Sequence, residues 1–259
     1  AGYRFETNCD TEVVLNALME WGPDAFLRFD GMYAIAWYDR KVRRLTVARD
    51  KLGIKPLYYY YDDALALFAS EIKPILAHPK VPRQLNKAVI PEFLAYQFVM
   101  PPDTMFERIR VLPPGCMMVF DAGTSCRPKI SHYWRLDSSV LFDPAAPSVE
   151  EALNLSVERV WDADRNSGIQ LSGGVDSSLI TAISHEQLSM RNLDTYSVIF
   201  DDSKSCYYRP RSEEKYIRRV NDTYDTNANL YLFDDKDIRP ALAEAIWWHE
   251  APLDRKSVV

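Results

Sequence analysis

Four cysteines and four histidines in 259 residues leave little material for thiol or metal chemistry. Cys9, Cys116, Cys126 and Cys206 lie far apart with no C-x-x-C pair among them, which argues against structural zinc and against a disulfide framework and leaves reduced thiols. No apolar run approaches the length of a membrane span and no charged-then-apolar leader opens the sequence, so the expectation is a cytoplasmic protein with no membrane partner. A basic stripe is missing as well. Lysine and arginine number 18 against 16 acidic residues over residues 1–137 and 13 against 21 over residues 138–259, which sum to the 31 and 37 of the whole chain and its net charge of -6. Nucleic acid is therefore not an expected partner. What is present is an ordinary globular balance, 47% hydrophobic and 26% charged, enough for one large domain or two of usual size.

Glycine is scarce too, at nine residues, and two of the nine are adjacent. Gly173 and Gly174 sit in the stretch Leu171-Ser172-Gly173-Gly174-Val175-Asp176-Ser177-Ser178. Gly168 to Leu171 read as the end of a buried strand, and Ser177 to Ile183 as an amphipathic helix. A strand, a small-residue loop and a helix N-terminus make an anion site, because glycines let several backbone N–H groups point into one concavity and the helix dipole favours negative charge there. Ser172, Ser177 and Ser178 add hydroxyl donors. Asp176 would repel a phosphate unless a cation bridges the two, as Mg²⁺ does with one or two carboxylates plus phosphate oxygens. The acidic balance of the second half fits phosphates that arrive with metal ions. The stretch lacks the Lys-Ser/Thr pair of a Walker A loop and the G-x-S-x-G spacing of a nucleophile elbow. A Gly-Gly turn followed by Ser and Asp helix caps is the plainer alternative. The order S-G-G-x-D-S resembles the pyrophosphate-binding loop of the ATP pyrophosphatases, which adenylate a carboxylate or carbonyl oxygen. That resemblance implies ATP as substrate and Mg²⁺ as its companion.

In the first half, Val13-Val14-Leu15 and Leu18-Met19 form an apolar face at helical spacing, with Asp10 and Thr11 as natural caps. Two hairpins follow, Met32–Trp37 with Leu45–Asp50 and Leu57–Tyr61 with Ala64–Ala69. Their strands are apolar on both faces, which predicts a sheet covered on both sides. A helix is expected from Lys87 to Phe98 and a third hairpin over Cys116–Phe120 and Lys129–Trp134. The ordered run Asp10-Thr11-Glu12-Val13, Gly31-Met32-Tyr33-Ala34, A-R-D-x-L-G-I-K-P-L-Y-Y at 48–59, Ala69-Ser70-Glu71-Ile72-Lys73, Leu112-Pro113-Pro114-Gly115 and His132-Tyr133-Trp134 resembles the glutaminase domain of glutamine-hydrolysing asparagine synthetases. In that family the aspartate matching Asp10 holds the α-amino group of glutamine. The nucleophile is a cysteine at the mature N-terminus, which Cys9 is not, so the chain from Ala1 is not expected to hydrolyse glutamine and no catalytic residue is assigned.

Leu136 to Ser148 read as a linker, and Ser148 with Glu151 three residues on marks the capping box of a helix from Val149 to Asp162 whose Leu153, Val157 and Val160-Trp161 face inward. After the glycine loop come a helix to about Met190, a strand at Thr195–Phe200, a helix at Glu213–Val220, a strand at Asn229–Phe233 and a helix at Ile238–Trp248. Such alternation predicts a parallel sheet with ligands at the C-terminal edge of its strands. In the resembled family the residues matching Leu171 and Val198 contact the nucleotide, although both suit a core equally well; Ile199 stands where glycine is frequent. His249 reads as structural.

The expected fold is a two-domain α/β and α+β chain: the C-terminal part of an Ntn-type α-β-β-α glutaminase domain at 1–137, a linker at 138–148, and at 149–259 the N-terminal part of a parallel-sheet, Rossmann-like ATP pyrophosphatase (PP-loop) domain. Implied ligands are glutamine at Asp10, and ATP or pyrophosphate at Leu171, Ser172, Gly173, Gly174, Asp176, Ser177, Ser178 and Val198, with Mg²⁺ reached through Asp176. The resemblance implies a ligase that adenylates aspartate and amidates it with ammonia from glutamine, and it admits a homodimer. The alternatives are a sugar acid or lactam-forming acid as acceptor, or a non-catalytic nucleotide-binding or partner-binding remnant.

Overall fold

The computed structural model describes residues 2–121, 127–137, 146–161, 167–200, 213–233, 242 and 244–251. The chain divides into two compact units, Ala1–Ser138 with Trp247–Asp254, and Ser139–Ile246 with Arg255–Val259.

In the first unit, α1 (Asp10–Trp21) and the short α2 (Ala25–Arg28) precede the hairpin β1 (Ala34–Asp39) and β2 (Arg44–Arg49). The second hairpin is β3 (Tyr58–Tyr61) and β4 (Ala66–Ala69), followed by α3 (Ile72–Leu76), α4 (Ile90–Tyr96), β5 (Arg110–Val111), β6 (Cys116–Asp121) and β7 (Lys129–His132). The two early hairpins go to different sheets, β1-β2-β6-β7 and β4-β3-β5, with every pairing antiparallel. Alternation along the strands sorts the side chains. Val47, Met118 and Tyr59 meet between the two sheets, whereas Ala48 and Met117 face Leu18, Ala25 and Phe26 of the helices, and Tyr60 faces Ile72 and Ile75 of α3. The layers therefore run helix, sheet, sheet, helix. Phe26 is wholly buried, and its removal from water contributes roughly 2–3 kcal/mol.

Two-sided burial holds for β2, whose Thr46, Val47 and Ala48 are all inaccessible, but not for β1. There Ile35 and Trp37 face the helices while Ala34, Ala36 and Tyr38 are exposed, because β1 is the edge strand of its sheet. The expected helix at 87–98 is a 3₁₀ turn at Lys87–Val89 followed by α4, and it ends where Gln97 turns left-handed at φ 63°.

The A-R-D-x-L-G-I-K-P run is a self-clamped loop. Asp50 is 1% exposed, and its carboxylate accepts from the backbone N–H of Ile54 and of Lys55, both at 2.9 Å, and of Tyr33 at 3.3 Å. Arg49 donates outward to the carbonyls of Gly53, Lys55 and Leu112 at 2.5–2.8 Å. Gly53 is left-handed at φ 68°, and a Cβ there would lie 2.8 Å from Pro114, so glycine is required twice over. Tyr133 closes the arrangement by donating to the Arg49 carbonyl at 2.6 Å and sharing a 2.8 Å bond with the Tyr33 hydroxyl. The motif is thus a scaffold that sets the course of the chain between β2 and β3.

In the second unit, α5 (Val149–Trp161) begins with the anticipated capping box. Ser148 Oγ accepts from the Glu151 N–H at 3.2 Å, and the Glu151 carboxylate accepts from the Ser148 N–H at 2.8 Å. Of its expected inward face, Val157 is buried and Trp161 donates to Ser184 at 2.7 Å, whereas Leu153 and Val160 are exposed. The sheet β8 (Gly168–Gln170), β9 (Asp194–Phe200) and β10 (Asn227–Phe233) is parallel, in the order β10-β9-β8. Helices α6 (Val175–Glu186) and α7 (Glu214–Tyr224) join its strands. Residues 244–249 are helical, and most of the expected linker at 136–148 and part of the expected 238–248 helix lie outside the described residues. No helix among the described residues is long and apolar enough to cross a membrane.

Candidate functional site: the glycine loop

The loop leaves β8 at the carboxyl edge of the parallel sheet. Leu171 is wholly buried, its N–H donates to the Tyr196 carbonyl at 2.9 Å, and its own carbonyl accepts from Ser197 Oγ at 2.7 Å. This stitch to β9 fixes where the loop begins. Ser197 is the residue that sequence reasoning missed; the signal was a lone hydroxyl in an otherwise apolar half-strand, level with the end of β8.

Gly173 then turns left-handed at φ 80°, with its α-carbon pressed on α7: a Cβ there would lie 3.0 Å from the Glu213 carbonyl oxygen and 3.1 Å from Ile217. Gly174 is extended, at φ -74° and ψ 170°, and starts α6 without a side-chain cap. The hydroxyls organise the turn. Ser178 donates to the Gly174 carbonyl at 2.7 Å, Ser177 and Ser172 share a 3.2 Å bond, and Ser172 accepts the Gly174 N–H at 3.3 Å. The first N–H groups of α6 have no partner within the helix, which gives the loop a positive end. Asp176 is exposed in that first turn. Ser172 is exposed and Ser177 and Ser178 half-buried, so the loop presents hydroxyls and amides to solvent while Leu171 anchors it from below.

Val198 is half-buried on β9, paired with Tyr231 and two residues beyond the last β8 partner, Tyr196. It therefore stands about 6–7 Å along the strand from the level at which β8 ends. The second unit brings Leu171, Ser172, Gly173, Gly174, Asp176, Ser177, Ser178 and Val198 to one edge. Ile199 is paired with Leu232 on the same strand. Among the described residues no three His, Cys, Asp or Glu side chains gather into a metal-holding group.

Asp10 belongs to the first unit. It is exposed at the first position of α1, whose N-cap is Cys9, so neither Asp10 nor Thr11 caps the helix. Glu12 instead ties down the segment before the helix, its carboxylate accepting from the N–H of Glu6 and of Thr7 at 2.9 and 2.8 Å and from the Thr7 hydroxyl at 2.6 Å. The Thr7 hydroxyl and these amides hold the Glu12 carboxyl below the usual carboxylate range. Among the described residues, Asp10 Oδ1 accepts from the Thr11 hydroxyl at 3.3 Å and from the Cys9 thiol at 3.6 Å. Cys9 is exposed and Cys116 buried, the latter with its thiol pushed up by burial.

A cavity of about 340 Å³ in the first unit, lined by Tyr59, Tyr61, Asp62, Asp63, Arg108, Arg110 and Arg127, is not part of this constellation. Its cations are matched locally, Arg127 to Asp63 at 3.2 Å, Arg110 to Asp103 at 3.5 Å and Arg108 over the Tyr60 ring at 5.0 Å.

Comparison with known proteins gives two matched regions. Residues 1–134 match the glutamine amidotransferase domain and residues 148–259 the asparagine synthase family. Asparagine synthetase [glutamine-hydrolyzing] 3 of Bacillus subtilis is 30% identical over 97% of this chain and 42% of its own length. Asparagine synthetase [glutamine-hydrolyzing] 2 of the same organism is 30% identical over 76% of this chain and 28% of its own length. Amidase chry2 of Gibberella zeae is 26% identical over 97% of this chain and 39% of its own length. The chain thus spans less than half the length of these curated relatives. The two regions follow one another along the chain, and the chain belongs to the family in which a glutamine amidotransferase domain precedes an asparagine synthase domain.

Proposed function

We propose that this chain carries parts of two domains, at 1–137 and 149–259 joined by a linker at 138–148, of an ATP-dependent, glutamine-hydrolysing asparagine synthetase. The observation that carries the reading is the glycine loop: a buried Leu171 stitched to Ser197, a left-handed Gly173, three hydroxyls and a helix start, all at the carboxyl edge of a parallel sheet. This arrangement suits the β- and γ-phosphates of ATP, with amides and the hydroxyls of Ser172, Ser177 and Ser178 on their oxygens. The donor set fits Mg²⁺ in one way only. Asp176, a single exposed carboxylate, would hold the ion together with oxygens of the nucleotide's phosphates. Held there, Mg²⁺ would supply charge compensation for the pyrophosphate leaving group.

Val198 and Leu171 shape the apolar floor beside the phosphates, and Ile199 narrows the approach available to the base. Asp10, exposed at the first position of α1, takes the α-amino group of glutamine. The antiparallel sheets of the first unit and the parallel sheet of the second support reading them as parts of an Ntn-type glutaminase and a Rossmann-like PP-loop domain, and a biosynthetic enzyme of this kind works in the cytoplasm. Aspartate is the proposed acceptor. The similarity to amidase chry2 over 97% of the chain favours, as a second reading, a different carboxylate on the same adenylating machinery.

The test is ATP–pyrophosphate exchange by the full-length protein with Mg²⁺ and aspartate, with glutamate release followed in parallel and Asp176→Ala as control. Exchange that needs aspartate and disappears in the variant supports the proposal. Exchange that needs another acid moves the acceptor to the second reading, and no exchange with any acid overturns both.

A further inference from the structure

The stretch Ala69-Ser70-Glu71-Ile72-Lys73 has no part in either centre, yet the first unit builds a socket from it. Helix α3 starts after Glu71, whose side chain makes no cap. The cap comes from 178 residues away: Glu250 Oε2 accepts from the Ile72 N–H at 2.5 Å, and Oε1 accepts from the Lys73 N–H at 2.6 Å. The Lys73 ammonium adds an ion pair to the same carboxylate at 3.1 Å and donates to the Trp247 carbonyl, also at 3.1 Å. It lies 5.5 and 5.4 Å from the ring centres of Trp247 and Trp248. Both oxygens of Glu250 are thereby engaged, and its side chain is only 6% exposed.

Two features separate this from an ordinary surface ion pair. Glu250 is left-handed at φ 58°, a conformation that is unfavourable for a non-glycine residue and persists where surrounding contacts impose it. The segment that bears it, Trp247–Asp254, belongs to the first compact unit although it falls within the residues matched to the asparagine synthase family. Partial burial works against the Lys73 charge, but its bonds to Glu71 and Glu250 outweigh this and raise its pKa, so the cation is present throughout the neutral range.

We propose that Glu250 is a positioning residue, seated in the amide-and-ammonium socket of α3 and Lys73, through which the glutaminase region holds the synthetase segment that follows Trp248. The proposal rests on the glutamine-dependent reading above. A seat of this kind acts on delivery of ammonia between two active centres and not on the adenylation chemistry. It therefore predicts a split between donors.

The experiment uses the full-length enzyme with Glu250→Ala, Lys73→Met and the charge-keeping Lys73→Arg. With saturating ammonia, asparagine formation should stay within about twofold of wild type, whereas with glutamine the ratio of glutamate released to asparagine formed should rise at least about fivefold in the first two variants and recover in Lys73→Arg. An unchanged ratio, or equal loss with both donors, overturns the proposal. Hydrogen exchange on the present chain separates this from failure of the parent reading. If the wild-type enzyme makes no asparagine from either donor, the functional reading is lost, while faster exchange at the Ile72 and Lys73 amides in Glu250→Ala upholds the seat and unchanged exchange removes it.

Discussion

Replacing Gly173 with alanine tests the loop geometry at its most constrained point. The residue sits at φ 80°, where a side chain costs about 1–2 kcal/mol. The new Cβ would lie 3.0 Å from the Glu213 carbonyl oxygen, 3.1 Å from Ile217 Cγ1 and 3.3 Å from Glu213 Cβ. That oxygen cannot give way cheaply, because it accepts the Tyr216 and Ile217 N–H groups at 2.8 and 3.0 Å in the first turn of α7. Loosening one such bond adds about 1 kcal/mol, so the total is about 2–3 kcal/mol. Gly174→Ala is the internal control, since Gly174 is extended and its nearest neighbour is the Ser172 hydroxyl at 3.3 Å, a side-chain atom that can rotate. It should cost under about 1 kcal/mol. Hydrogen exchange read by mass spectrometry on peptides covering residues 167–233, as a function of urea, gives the stability of this unit separately from the other. Equal effects of the two alanines, or a neutral Gly173→Ala, would refute the reasoning.

Other consequences are as direct. Asp176→Ala should leave urea stability unchanged, because the side chain is exposed, while weakening Mg-ATP about tenfold or more in a calorimetric titration. Ser197→Ala strips the buried Leu171 carbonyl of its hydroxyl partner and should cost about 1–3 kcal/mol in the same exchange assay, against a near-neutral Tyr196→Phe. Asp50→Ala removes the acceptor of two loop amides, Ile54 and Lys55, and of the Tyr33 amide beside β1, around a residue that is 1% exposed, and a loss of about 3–5 kcal/mol is expected in urea melts of the first unit. Glu12 and Glu151 are both held below the usual carboxyl value of 4.5, chiefly by the Thr7 hydroxyl and by the Ser148 N–H respectively. The bonds these carboxylates accept therefore contribute fully above that value and fade as the pH falls through the lowered one; protection of the Glu6, Thr7 and Ser148 amides, taken relative to their intrinsic exchange rates at each pH, should fall on acidification, and protection that stays constant or rises would contradict the assignment.

The glycine loop was legible because its meaning is local. A strand end, two glycines and a helix start define their geometry within eight residues, and so does the Ser148–Glu151 capping box. The parallel sheet followed from strand-helix alternation for the same reason. What stayed hidden depends on distant partners. Leu45–Asp50 and Leu57–Tyr61 read as neighbouring hairpins, and only the pairing of β2 with β6 and of β3 with β5 sends them to opposite sheets. The outward face of β1 looked as apolar as that of β2, but an edge position leaves it uncovered. The anchoring of Leu171 by Ser197 spans 26 residues, and the capping of α3 by Glu250 spans 178, beyond anything periodicity reports. Asp10 and Thr11 read as natural caps, yet α1 takes Cys9 as its N-cap with no side-chain cap bond, because both residues already lie inside the first turn.

The most direct test of the central claim needs only this chain. Amide exchange would be measured with and without inorganic pyrophosphate, in the presence and absence of Mg²⁺. Protection confined to the loop and first turn at 172–178, dependent on Mg²⁺ and lost in Asp176→Ala, is the predicted result. Protection that ignores Mg²⁺, or that falls elsewhere while these amides exchange unchanged, would contradict it.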